Sequence, residues 1–138
     1  MGRALGVDLG SRRVGLALSD PHRIICSPFT TIPFRSENGL VRELLRICAA
    51  REVDLVVIGM PVSADGAEGP GCERARRIRR NLDEAGVRVE LQDEAWTSRG
   101  AEAILRAVGK KREKAKAKID AVAASLILRD HLDGTASV

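Results

Sequence analysis

Asp8 sits in the run RALGVDLG (3–10), between Val7 and Leu9, where a buried strand ordinarily carries no charge. An ionised carboxylate in apolar surroundings is costly unless it is hydrogen-bonded, paired or bound to a cation. Two readings follow. Either Asp8 is a hydrogen-bonded residue shaping the turn at Gly10, or a divalent cation keeps it ionised. Two further acidic positions bear on the choice. Asp93 and Glu94 close the alternating run VRVELQDE (87–94), and Asp120 opens IDAVAASLILRDHL (119–132). Taken singly, Asp93 reads as a turn residue and Asp120 as an acid near a helix N-terminus. Taken together, carboxylates from two strands and one helix form a hard-oxygen set suited to Mg2+ or Mn2+. Two such ions about 4 Å apart would activate a water and stabilise the leaving oxygen of a phosphodiester.

The cations are concentrated. KKREKAKAK (110–118) carries six Lys or Arg against one Glu, a local +5 in a chain of net +4, so the remainder is close to −1. Such a segment has the form of a phosphate-backbone contact, against the plainer reading of a solvated helix face. Its cations are Lys110, Lys111, Arg112, Lys114, Lys116 and Lys118, which would hold a backbone without reading its sequence. Arg12 and Arg13, at the first turn, are further candidates for nucleic-acid contact. GMPVSADG (59–66) leaves a strand and precedes a basic helix, so its N–H groups could meet a phosphate or simply connect the two elements. DLGSRRVG matches neither GxxxxGK[ST] nor GxGxxG, which weakens P-loop and dinucleotide readings. Actin-like and sugar-kinase ATPases share an acid-plus-glycine hairpin but need two such domains, for which 138 residues are too few. The Arg-rich run 74–80 reads as a solvated helix face, and His22 and His131 as surface residues.

These side chains need a scaffold. The length suits one domain with a core that needs no disulfide or structural metal. Strands are expected at 3–10, 13–20, 24–33, 53–61 and 87–94, and helices at 36–51, 72–86, 98–109 and 119–132. The short link between the first two strands implies a hairpin, and GMPVSADG falls in a turn-rich loop. A meander followed by alternating units predicts an α/β fold: one mixed five-stranded sheet with helices on both faces, over residues 1–134, and a polar tail at 135–138. Asp120, Ala123, Ala124 and Ile127 share a helix face, and the alanines would let that helix approach the sheet closely.

Composition narrows the classes. Two Phe, one Trp and no Tyr argue against an aromatic stacking platform for single strands. Cys26, Cys48 and Cys72 form no CxxC pair, which excludes a zinc ribbon and suits reduced thiols in the cytoplasm. No apolar run reaches about 18 residues, and the N-terminus runs straight into a strand pattern, so neither a membrane span nor a signal peptide is expected.

Four motifs, in order, resemble the YqgF/RuvX family across about residues 4–132. GVDLGSRRVGLALSD (6–20) is similar to its opening hairpin, GMPVSADG to its G-x-P-x-x-x-x-G loop, DEAWTSRGA (93–101) to its D-E-R-x-[ST]-[ST]-x-x-A segment, and KAKIDAVAASLIL (116–128) to its Lys-rich stretch and D-x-x-A-A helix. The resemblance implies an RNase H-like fold. It also implies a metal-dependent nuclease, like a Holliday-junction resolvase or a nuclease of small-subunit ribosomal RNA precursors. Its acids would be Asp8, Glu94 and Asp120, with Glu94 preferred to Asp93 for its longer reach. Asp20 reads as a hairpin-capping residue. Ala95 stands where the family usually has Arg, removing a guanidinium that would pair with phosphate; Arg99, one turn on, could supply it. The expected partner is structured RNA or branched DNA, including ribosomal precursor particles. A resolvase would be a homodimer with two active sites, whereas an RNA trimmer could be a monomer. A non-catalytic ribosome-associated factor and a nucleotide binder are the alternatives.

Overall fold

The computed structural model describes residues 2–60, 70–93 and 112–136. A meander of β1 (Arg3–Leu9), β2 (Arg13–Ser19) and β3 (Cys26–Pro33) is followed by α1 (Glu37–Arg51), β4 (Val53–Met60), α2 (Pro70–Glu84), β5 (Arg88–Asp93) and α3 (Arg112–Ala136). The sheet order is β3-β2-β1-β4-β5. β2 pairs antiparallel with both β1 and β3, while β1–β4 and β4–β5 are parallel. Strands β1, β4 and β5 therefore end at one edge of the sheet, the edge that carries Asp8, Met60 and Asp93.

Strand alternation sorts the side chains onto two unlike faces. Leu5, Val7, Leu9, Val14, Leu16, Val56, Ile58 and Met60 pack with Leu44 and Ile47 of α1 and with Ile78 and Leu82 of α2. The other face is thinner. There Ala4, Leu55 and Val57 meet Ile127 and Leu128 of α3. Two glycines make that second layer possible. A Cβ on Gly6 would lie 2.6 Å from the Ala124 carbonyl oxygen, and one on Gly15 only 1.9 Å from that of Asp120. The α3 backbone thus rests directly on β1 and β2. Ala123 and Ala124 are fully buried, as the small-residue helix face predicts.

Local signals explain most boundaries. Ser36 accepts the Gly39 N–H at 3.0 Å and caps α1. Pro70 begins α2, two residues before the expected start, where a missing N–H costs nothing. Val87 N–H bonds the Leu82 carbonyl and Gly86 N–H that of Asp83, closing α2 with Gly86 at φ 89°. Strand β3 starts at Cys26 rather than at residue 24 because the Asp20 carboxylate holds the preceding backbone as a loop. It accepts from Ile24 and Ile25 N–H at 2.7 Å each and from His22 N–H at 3.1 Å. The final helix starts at Arg112, seven residues ahead of the expected 119, so part of the basic segment is helical. The helix expected at 98–109 lies outside the described residues. Among the described residues no helix is long and apolar enough to cross a membrane.

Replacing Gly15 by Ala forces a methyl into the Asp120 backbone. We expect a loss of about 3 kcal/mol in urea denaturation, at the upper end for overpacking. A loss below about 0.5 kcal/mol would show that α3 does not depend on this contact.

Candidate active site

Asp8 is half-buried on the α3 face of β1 and lies directly opposite Gly15 in the β1–β2 register. Gly15 in turn abuts the Asp120 backbone. Asp8, Gly15 and Asp120 thus form one continuous contact line through three elements distant in sequence. Arg13, two residues before Gly15 and on the same face of β2, donates from Nε to Asp120 Oδ2 at 3.1 Å. Arg13, expected to touch nucleic acid, is therefore engaged with the acid next to it. Its side chain stays 37% exposed against 22% for Asp120, so the pair sits at a solvent-facing rim. Arg12 is exposed at the tip of the same turn.

That turn is tied from several sides. Gly10 N–H donates to the Arg13 carbonyl at 2.9 Å, and Phe34 N–H to the Arg12 carbonyl at 2.9 Å. Arg74 of α2 donates from Nη2 to the carbonyls of Leu9 at 3.3 Å and Gly10 at 2.9 Å. The Arg-rich run is thus not simply a solvated face. Arg74 turns inward, and Arg77 bonds both Glu37 carboxylate oxygens at 2.9 and 2.8 Å. No spacing signal separates Arg74 from its neighbours in the sequence.

The third acid comes from β5. Asp93 is exposed and pairs in register with Met60, whose side chain belongs to the α1/α2 core. Asp93 therefore points away from the Asp8 face. Glu90 and Gln92 take the other parity, and both bond His131 of α3. His131 is only 12% exposed, which corrects its reading as a surface residue: its ring bridges α3 to the edge strand. Glu94, Arg99, Lys110 and Lys111 lie outside the described residues, as does most of GMPVSADG. Arg112, Lys114, Lys116 and Lys118 fall in the first two turns of α3. Among the described residues no three His, Cys, Asp or Glu come together as a metal-holding group. Asp20 acts as the expected loop cap, and donation from Ile25 N–H, foremost, holds its carboxyl below the usual 3.8. Cys48 and Cys72 are buried free thiols, the former pushed up to about 11 by burial.

An antiparallel three-strand meander continued by two parallel strands, with acids from β1 and from the last helix at one edge, defines the RNase H-like class of resolvase folds. The fold superposes on that of the fowlpox virus resolvase in complex with Holliday junction DNA, with a TM-score of 0.59 at 9% identity, covering 96% of this chain and 98% of that one. Thermus thermophilus RuvC gives 0.57 at 13% identity, covering 95% and 96%. The family model of RuvX, described as Holliday junction resolvase, matches residues 2–134. A Chloroflexus aurantiacus protein curated as "Putative pre-16S rRNA nuclease" is 41% identical over 96% of this chain and 88% of its own length. A Streptomyces coelicolor protein of the same name is 40% identical over 96% and 80%. The chain belongs to the RuvX family.

The His131 contact, foremost, and Arg88 hold the Glu90 carboxyl below its ordinary 4.5. A depressed carboxylate contributes stability in full above the unfolded value and loses it as pH falls through the folded one. We therefore expect Glu90→Gln to flatten the decline in stability below about pH 4.5 in a urea series. An unchanged slope would remove the Glu90–His131 pair from the acid response.

Proposed function

We propose that this protein is a metal-dependent nuclease that hydrolyses phosphodiester bonds of structured nucleic acid, with the small-subunit ribosomal RNA precursor as its substrate. The observation that carries the reading is the contact line from Asp8 through Gly15 to Asp120, which a Cβ at position 15 would break. A strand acid and an acid-bearing turn of a helix brought against the same glycine form an arrangement with little purpose in packing. It has an evident one in holding a cation.

The donor set fits Mg2+ or Mn2+. Asp8 and Asp120 offer hard carboxylate oxygens beside a solvent-facing rim. The third ligand is Glu94, which lies outside the described residues and is assigned on the likeness of DEAWTSRGA to the family's Asp-Glu segment. When bound, the ion supplies an activated water and offsets charge on the leaving oxygen. The chain's own residues do the rest. Arg13 holds the Asp120 carboxylate in place through its Nε–H. Arg12, Arg99 and the cations Lys110, Lys111, Arg112, Lys114, Lys116 and Lys118 hold the substrate backbone by charge. With Ala95 after the Asp-Glu pair, Arg12 and Arg99 carry the guanidinium contact to phosphate. The reaction takes place in the cytoplasm on ribosomal precursor particles, and a monomer suffices for a single-strand cut.

A second reading, cleavage of Holliday junctions by a homodimer, is favoured by the description that the matching family model carries. A panel with Mn2+ that offers a precursor ribosomal RNA fragment and a four-way DNA junction separates the two. We expect cleavage of the RNA, and loss of more than about 100-fold in Asp8→Asn with substrate affinity changed less than about threefold. Wild-type cleavage by Asp8→Asn would overturn the catalytic assignment. Salt-sensitive binding with no metal-dependent turnover in the wild type would make the protein a binding factor instead.

A further inference from the structure

We infer that Arg74 is a positioning residue for the nuclease site, a clamp that fixes the β1–β2 turn and through it both Asp8 and Arg13. The inference rests on the proposed nuclease reading and deepens it, since Arg74 lies outside the metal-binding and substrate-contacting groups.

Three observations converge on this side chain. First, the β1–β4 pairing ends at Val7–Ile58 although β1 runs on to Leu9. Backbone carbonyls past that point need another donor. Arg74 Nη2 supplies it, to Leu9 and Gly10 together. Secondly, the guanidinium stacks on the Phe34 ring, with Cζ 4.8 Å from the ring centroid. Phe34 also ties its own N–H to the Arg12 carbonyl. One ring and one guanidinium therefore grip the turn from two points. Thirdly, Arg74 Nε is buried with no hydrogen-bond partner among the described residues. An unpaired buried donor costs about 1–3 kcal/mol. A side chain kept only for fold stability would be better served by an apolar residue of similar length. The cost is accounted for if the gain is geometric.

The grip has two outputs. Gly10 follows Asp8 by two residues, so fixing its carbonyl sets the end of the strand that aims the Asp8 carboxylate. Across the turn, Gly10 N–H fixes the Arg13 carbonyl, and Arg13 Nε holds Asp120. Arg74 thus reaches both acids from the opposite layer of the sheet without touching either. Lys reproduces only part of this: an ammonium can donate to the carbonyls that the single Nη2 serves, but it lacks the planar surface that stacks on Phe34.

The test compares Arg74→Met, Arg74→Lys and Arg77→Met in the full chain, with cleavage kinetics and amide hydrogen exchange. Met keeps length and removes the buried unpaired donor, so the fold should persist. For Arg74→Met we expect kcat to fall about 10- to 100-fold with KM within about threefold. The Gly10 and Phe34 amides should exchange more than about tenfold faster, with those of β4 unchanged. Arg74→Lys should recover part of kcat. Arg77→Met, which breaks only the Glu37 pair, should match the wild type. Wild-type kcat in Arg74→Met, with or without faster exchange, would overturn the inference, and so would an equal loss in Arg77→Met. Should Asp8→Asn cleave normally, the catalytic assignment of Asp8 falls. Faster exchange confined to the turn in Arg74→Met then still supports the clamp, and unchanged exchange overturns it.

Discussion

The meeting of Asp8 with the Asp120 segment depends on how close α3 lies to the sheet. A helix normally stands off a sheet by the length of its side chains, about 10 Å between layers. Here Gly6 and Gly15 remove the side chains on the sheet side, and alanines shorten them on the helix side. Main chain meets main chain. Only under that condition does an acid on the helix share a neighbourhood with an acid on β1. The thin layer of Ala4, Leu55, Val57, Ile127 and Leu128 buries modest apolar surface, and it serves placement more than bulk stability. The thick layer beneath, built on α1 and α2, provides most of the apolar burial.

The two layers are coupled at the β1–β2 turn. From the thick side, Arg74 and Phe34 reach up to its carbonyl groups. On the thin side, Arg13 reaches out to Asp120. A turn of four residues therefore connects a structural layer to a chemical one. The Arg13–Asp120 pair is partly exposed and contributes little to stability, about 1 kcal/mol or less. In the proposed nuclease reading its value lies in fixing the direction of a carboxylate that would hold a cation, since a ligand that must reorganise weakens a site. At the far edge, His131 joins α3 to β5 through Glu90 and Gln92, so α3 is anchored both on β1 and β2 and on the sheet's last strand.

Membership of the RuvX family agrees with this architecture, and the low identities of the superposable resolvases show how little of the fold depends on particular residues. What these superpositions share is the fold; in this chain the meander presents β1 at the centre of the sheet and α3 covers it. The residues that matter most for chemistry are then those that break the rules of packing, namely a charge in a strand and glycines where a side chain would fit.

Much of this was legible in the amino-acid order. Short apolar and β-branched runs marked the strands, with alternation only at 87–94, helical spacing marked the helices, and Asp8 announced itself as a charge in an apolar run. The grouping of Asp120 with Ala123, Ala124 and Ile127 followed from helical spacing alone. Each of these is a local property, set by neighbours within a few residues. Tertiary structure decided the rest. Arg13 and Arg12 are adjacent in sequence, yet one is engaged by Asp120 and the other faces solvent. Arg74 stands in a run of arginines, and only the return of β1 beneath α2 singles it out. His131 looked superficial until β5 lay beside it. The start of β3 moved because a carboxylate four and five residues back captured its N–H groups. In each case the deciding partner lies on another strand or helix, or across a loop. Pattern reports what a segment would bury, but not which distant group will meet it.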